Sequence, residues 1–249
     1  IKLAHIEAGM RSYDKEMPEE INRVVTDHVS GILFCSTNAA VQNLRKEGII
    51  KNAFKVGDIM IDAIKENINA AERKSSILKR LKLKSKNYIT ATIHRASNTD
   101  SKENLLKIII AFIKSKETIV FPIHPRTSKC LKLYGIDKML KGTNVITTKP
   151  VGYLDMLALE KNSKKILTDS GGMQKEAYFF KVPCITLRDS TEWVETVSDG
   201  WNMLTGTDTT KILSAISNFN PQGKQSENYG DGNAAKNIVN VINNFAISS

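Results

Sequence analysis

The chain is poor in cysteine, tryptophan and long apolar runs. Its three cysteines, Cys35, Cys130 and Cys184, lie far apart and form no CxxC pair. That spacing excludes a disulfide framework or a cysteine zinc site and fits a reducing, cytoplasmic compartment. The longest apolar run, near Ile108–Ile113, is far too short to span a bilayer, so no membrane partner is expected. A GxGxxG fingerprint and a Walker loop are both missing, which removes the case for a dinucleotide cofactor or for P-loop ATP hydrolysis. The opening IKLAHIEAGM has no basic stretch leading into an apolar one, and no initial Met. It reads as the middle of a chain, with an N-terminal region expected before it.

What is present is ordinary in bulk and specific in detail. The 249 residues are 41% hydrophobic and 25% charged, enough for one large or two small domains with cores of their own. Net charge is +10. The lysines are scattered, and the densest basic stretch, ERKSSILKRLKLKSK (72–86), reads as the solvated face of a helix. Scattered lysine does not make a nucleic-acid footprint. A small anionic substrate drawn in by a basic field fits better.

From about residue 87 strand and helix patterns alternate with short joints. Strands are expected at 87–93, 118–123, 144–148, 165–169, 184–187 and 202–206, with a helix after each. Such an array predicts an α/β fold with parallel sheets covered by helices on both faces. Two further βα units precede it, with strands in LAHIEAG, ILFCST and FKVGD. The expected division is 1–58 for part of a first domain, 59–231 for a second, and 232–249 for a terminal helix packing back on the first.

Ligands in such sheets bind beyond the C-terminal strand ends, so the polar residues there are the candidates. Ser170-Gly171-Gly172 joins a strand to a helix; the glycines let a backbone approach a phosphate, and helix N–H groups favour an anion. Glu176 lies farther along that helix, where a carboxylate could accept from ribose hydroxyls. His94 and Arg95, in TIHRASN, pair a proton-transfer group with a phosphate-binding one. His124 follows another strand, and His5 also lies beside a strand end, which suggests a shared cleft; His28 reads as structural. Glu7, before Ala8-Gly9 and Arg11, and Glu19, at a helix start, offer carboxylates for acid and base work. Glu20 needs no more than its place at the helix N-terminus. Together these residues describe an enzyme acting on a nucleotide-linked substrate.

HIEAGMRS…MPEEINR, VGDIMIDA, IHRASNTD, PIHPRT, LTDSGGMQKEA and LRDSTEWVETVSDGWN occur in this order along nearly the whole chain. Together they resemble the non-hydrolysing UDP-N-acetylglucosamine 2-epimerases. The resemblance implies a GT-B arrangement of two Rossmann-like domains, the first only partly present. It implies an isomerase that removes the sugar's C2 proton while UDP leaves C1, then returns UDP to the 2-acetamidoglucal and reprotonates C2 from the other face. No redox cofactor and no metal are implied. Glu7, Glu19 and His94 match the catalytic residues. His94, Arg95, His124, Ser170, Gly171, Gly172 and Glu176 match the grip on UDP. Arg11, Arg188 and Glu192 are further cleft candidates. A UDP-sugar partner and a homodimer follow from the same resemblance, with the product entering a cell-surface polysaccharide.

Two departures bear on these expectations. Roughly the first third of the family's chain, with a basic residue and a catalytic aspartate, precedes the segment where this sequence opens. The 249 residues alone are therefore expected to bind without turnover. Many relatives also read HRREN where this chain reads HRASN, and TEWVETVSDGWN is similar to a branch acting on UDP-2,3-diacetamido-2,3-dideoxyglucuronate. The uncharged N-acetyl sugar is the first expectation and the uronate the second. A hydrolysing epimerase, a GT-B glycosyltransferase and a nucleotide-sugar-binding module remain open as other readings.

Overall fold

The computed structural model describes residues 2–247, arranged as two compact units. One takes the residues up to 66, together with 190–195 and those from 226 on. The other takes 67–189 and 196–225.

The first unit opens β1 (Ala4–Ile6), α1 (Pro18–Val29), β2 (Ile32–Cys35), α2 (Asn38–Lys46), β3 (Ala53–Lys55) and α3 (Ile59–Lys74). Its three strands are parallel in the order β1-β2-β3, with Ala4 opposite Ile32 and Phe34 opposite Phe54. Pro18 starts α1, where a missing N–H costs nothing. Thr37 caps α2 by accepting from the Ala40 N–H at 3.2 Å.

The second unit carries α4 (Ile77–Arg80), β4 (Ile89–Thr92), α5 (Ala96–Thr99), α6 (Lys102–Lys114), β5 (Ile119–Pro122) and α7 (Pro125–Leu133). A 3-10 turn at Ile136–Leu140 leads to β6 (Val145–Thr148), α8 (Tyr153–Asn162), β7 (Lys165–Thr168), α9 (Gly171–Phe179) and β8 (Cys184–Thr186). Then come α10 (Val194–Ser198), β9 (Asn202–Leu204) and α11 (Thr209–Asn218). The six strands are all parallel, in the order β6-β5-β4-β7-β8-β9. Alternation along each strand sends side chains to both faces. Ile89, Ala91, Phe121 and Leu167 pack with Ile108, Phe112 and Ile212 of α6 and α11. Ile166 and Cys184 pack with Met173 and Ala177 of α9. Each fully buried aliphatic or aromatic side chain contributes about 2 kcal/mol.

The last helix, α12 (Ala234–Ile247), packs Ile238, Val241 and Phe245 with Ile32, Phe34 and Val56 of the first unit. The division between units falls at 66 and 225 rather than at the 58 and 231 read from the sequence. The reason lies in α3. Asp62 accepts from the Ala234 and Ala235 N–H groups at 3.1 and 2.8 Å, and Lys65 donates to the Asp231 carbonyl. The first two turns of α3 are thereby fastened to the loop before α12 and to the start of that helix.

Two local readings are corrected. The basic stretch 72–86 is not one helix: α3 stops at Lys74, α4 spans only Ile77–Arg80, and Lys82 and Lys86 take left-handed φ values of 54° and 61°. Ile77 is buried there, so the stretch is anchored rather than fully solvated. The helix expected from Thr191 begins only at Val194, because the Thr191 hydroxyl accepts from the Trp193 N–H at 3.1 Å and forms a turn first.

Candidate active site

In the second unit the chain runs outward from β4 through β5 to β6, then crosses to β7 on the other side of β4. The strand order therefore reverses between β4 and β7, and the crevice beyond their C-terminal ends is where such sheets bind ligands. The register puts Thr92 opposite Thr168, with their hydroxyls 2.7 Å apart. Two residues beyond each strand end lie His94 and Ser170.

Asp169 ties the two lips together. It is completely buried. Its carboxylate accepts from the His94 N–H at 3.1 Å, the Arg95 N–H at 3.0 Å and the Asn98 side-chain amide at 3.0 Å. The His94 ring nitrogen Nδ1 stands 3.2 Å from Oδ1. Burial pushes this carboxyl up, but the His94 hydrogen bond and charge, then the Arg95 N–H and Asn98, outweigh it and hold Asp169 below the usual carboxylate range. Arg95 Nε donates to the Asp169 carbonyl at 2.9 Å, which sets the guanidinium beside β7.

Ser170 is the N-cap of α9, and its hydroxyl oxygen accepts from the Met173 N–H at 3.4 Å. The oxygen thus serves the helix as an acceptor, while the hydroxyl proton is the part expected from the sequence to serve an anion. Gly171 and Gly172 begin α9 and are partly exposed, so their backbone is approachable at the positive end of a nine-residue helix. Glu176 lies on α9 and is only 8% exposed. Burial pushes its carboxyl up, against opposing effects from Glu160 and Lys175. Glu160, on α8, is completely buried and faces the Glu176 carboxyl, with no N–H or hydroxyl donor on either of its oxygens. Burial first, then the Glu176 charge, raise it well above the carboxylate range.

His124 is the exposed N-cap of α7, with Nδ1 accepting from the Arg126 N–H at 3.2 Å. Its ring lies 5.6 Å from that of His94. Arg188 is buried two residues beyond β8 and its carbonyl accepts from the Gly206 N–H at 3.2 Å. The structure therefore brings His94, Arg95, His124 and the Ser170 turn into one region, the end of β4, β5 and β7.

The first unit holds the other candidates. Glu7 follows β1 and adopts φ of 67°, a left-handed conformation that a glutamate enters at a cost. Gly9, two residues on, has φ of 75°, and a Cβ there would stand 2.3 Å from the Ala40 carbonyl oxygen. The buried Asp27 of α1 accepts from the Gly9 N–H at 3.0 Å and from His5 Nδ1 at 2.6 Å. Glu19 is exposed in the first turn of α1. Glu20 beside it is buried and accepts from Ser12 and Tyr13, as a structural residue would. Glu192 is buried with Arg23 Nη2 at 3.4 Å.

Two expectations change. Arg11 is no ligand-facing cation: Nε and Nη2 bind Glu47 at 2.7 and 2.8 Å, and Nη1 meets Asp27 and the Met10 carbonyl, each at 2.7 Å. These partners raise its pKa despite the opposing effect of burial, which is the largest single influence. His5 is likewise taken up by Asp27 rather than offered to a cleft. The sequence reading passed over Asp169, Asn98, Asp27 and Glu160. Only Asp169 carried a signal, as an acid closing a strand beside the glycine turn. Among the described residues no three His, Cys, Asp or Glu side chains group as metal ligands, and no helix is long and apolar enough to cross a membrane.

Residues 1–243 match the family model described as UDP-N-acetylglucosamine 2-epimerase. The chain is 56% identical, over 98% of its length and 70% of the relative's, to a UDP-N-acetylglucosamine 2-epimerase homolog of Methanococcus maripaludis. It is 41% identical, over 97% of its length and 68% of the relative's, to the UDP-2,3-diacetamido-2,3-dideoxy-D-glucuronate 2-epimerase of Pseudomonas aeruginosa. Among solved structures, the Methanocaldococcus jannaschii UDP-GlcNAc 2-epimerase in complex with UDP-GlcNAc and UDP superposes with a TM-score of 0.91 at 42% identity, covering 98% of this chain and 69% of that one. The fold is accordingly the α/β GT-B type.

Proposed function

Since the chain belongs to the UDP-N-acetylglucosamine 2-epimerase family, whose model it matches over residues 1–243, we propose that it interconverts UDP-GlcNAc and UDP-ManNAc. The observation that carries the reading is the braced turn of His94 and Arg95 beside the Ser170-Gly171-Gly172 helix start, at the point where the strand order reverses. That arrangement suits a diphosphate: the first N–H groups of α9 and the Arg95 guanidinium are the donors assigned to it.

The chemistry assigned to it is elimination and re-addition. A base takes the C2 proton, the C1–O bond breaks, and UDP leaves with the bonding pair to give the 2-acetamidoglucal. UDP oxygen then returns to C1 as C2 takes a proton on the opposite face. Two faces need two proton-transfer groups, and Glu7, Glu19 and His94 are the residues assigned to them. Through the intermediate UDP stays bound at the diphosphate cradle, with Arg95 and His124 on the phosphates and Glu176 on the ribose. Arg188 and Glu192 are assigned to the remaining contacts of the cleft.

The enzyme is assigned to the cytoplasm as a homodimer supplying cell-surface polysaccharide synthesis. A single sedimentation run at twice the chain mass checks the dimer; a monomer mass overturns it.

Incubation of the protein, with the family's N-terminal region present ahead of this segment, with UDP-GlcNAc in D2O tests the reaction. Deuterium at C2 together with a UDP-ManNAc signal is the expected result. Free sugar in place of UDP-ManNAc would point to hydrolysis. The second reading is the diacetamido-uronate, supported by the 41% identical Pseudomonas aeruginosa relative. Exchange with that substrate and none with UDP-GlcNAc would move the assignment there without changing the chemistry.

A further inference from the structure

We propose that Asp169 is the positioning residue of His94: its buried carboxylate decides which ring nitrogen carries the proton, and so which nitrogen the substrate meets. The inference rests on the assignment of His94 as a proton-transfer group.

Asp169 faces donors on every side. The His94 and Arg95 N–H groups and the Asn98 amide point at it from the β4 turn, and the His94 ring closes the set through Nδ1 at 3.2 Å. An ionised carboxylate only accepts. Nδ1 therefore keeps a proton against Oδ1, and Nε2 of this 38% exposed side chain is left to take or give one. The ring plane is set as well, because the backbone N–H of the same residue is bound to the same carboxylate. Full burial keeps solvent from competing for Oδ1.

A brace for the turn alone would not need a carboxylate. An asparagine at this position keeps an oxygen where Oδ2 now accepts from Arg95 and Asn98, and places its amide at the Oδ1 position. The amide donates. It would meet Nδ1 as an acceptor and drive the ring proton to Nε2. Asp169→Asn thus separates the two roles: the turn survives and the tautomer reverses.

The experiment is 15N spectroscopy of histidine-labelled protein near pH 8, with the family's N-terminal region present ahead of this segment, and with C2 exchange kinetics and UDP titration on the same samples. In the wild type, His94 is expected as the Nδ1–H form; in Asp169→Asn, as the Nε2–H form. The kcat for exchange is expected to fall about 100-fold or more, with the UDP dissociation constant within about threefold. A wild-type His94 protonated at Nε2 overturns the proposal, and needs no variant to fold. An unchanged tautomer or an unchanged kcat in Asp169→Asn overturns it too. Failure of the underlying assignment reads differently: His94→Ala would exchange at the wild-type rate while the two tautomers still reversed.

Discussion

Glu160 is completely buried, and the group it faces is a second carboxyl, that of Glu176. Its folded pKa is raised, so the native chain holds a proton that the unfolded chain releases. Stability linked to this group is therefore largest at or below the ordinary value of 4.5 and declines as pH rises above it. Glu160→Gln removes that dependence. At pH 8 the variant is expected to melt about 2–4 °C above the wild type, with the gap closing near pH 4. A variant less stable at pH 8 would show that the charge has a partner in solution. The strained Glu7 gives a second prediction at this scale. Glu7→Gly is expected to gain up to about 1 kcal/mol while C2 exchange is lost, whereas Glu7→Gln loses exchange with no such gain. Melting curves and D2O exchange on the pair check both halves. His94, Arg95 and the Ser170 turn all follow strands, as a strand-end reading of the sequence expects. Arg11 misled because its partner Glu47 lies 36 positions away, and nothing in the intervening sequence announces an ion pair.

At the scale of elements, the loop from Glu7 to Arg11 is held by two helices. Asp27 of α1 takes the Gly9 N–H, and Asn43 of α2 donates to the Gly9 carbonyl at 3.0 Å. The glycine is also pressed against α2, with φ of 75° and no room for a Cβ. Gly9→Ala is expected to destabilise the chain by about 3 kcal/mol or more, read as a fall in the denaturation midpoint. A neutral substitution would mean that the loop relaxes away from α2. The alternating strands and helices were legible because apolar runs of four, bounded by polar turns, admit few other readings. Less legible was α3. Its apolar residues Ile61, Ile64 and Ala71 follow a helical spacing, but the contacts that fasten its first turns are made by Asp62 and Lys65 to residues 166 to 173 positions away, which nothing nearby in the sequence announces. The basic stretch after it misled in the opposite way, since lysine is common both on solvated helices and in the left-handed turns at Lys82 and Lys86.

The whole molecule carries +10. That charge suits recruitment of a doubly charged nucleotide sugar, whose long-range attraction fades once the screening length falls to a few ångströms. The association rate of UDP is expected to drop several-fold between about 50 mM and 500 mM salt, with a smaller change in the dissociation rate. Stopped-flow titration at the two salts measures both. An association rate indifferent to salt would show that the scattered lysines do no steering.

The reversal of strand order has one more consequence. Chain order divides the larger sheet into two successive halves, β4 to β6 and then β7 to β9, and the candidate diphosphate site straddles their seam. Neither half owns the site: Asp169 from the later half is saturated by donors of the earlier one, some 75 positions away in sequence. A nucleotide bound there would act as a suture across the join. Amide protons on both sides, around 92–95 and 168–172, are then expected to slow together on adding UDP and to be released together when it leaves.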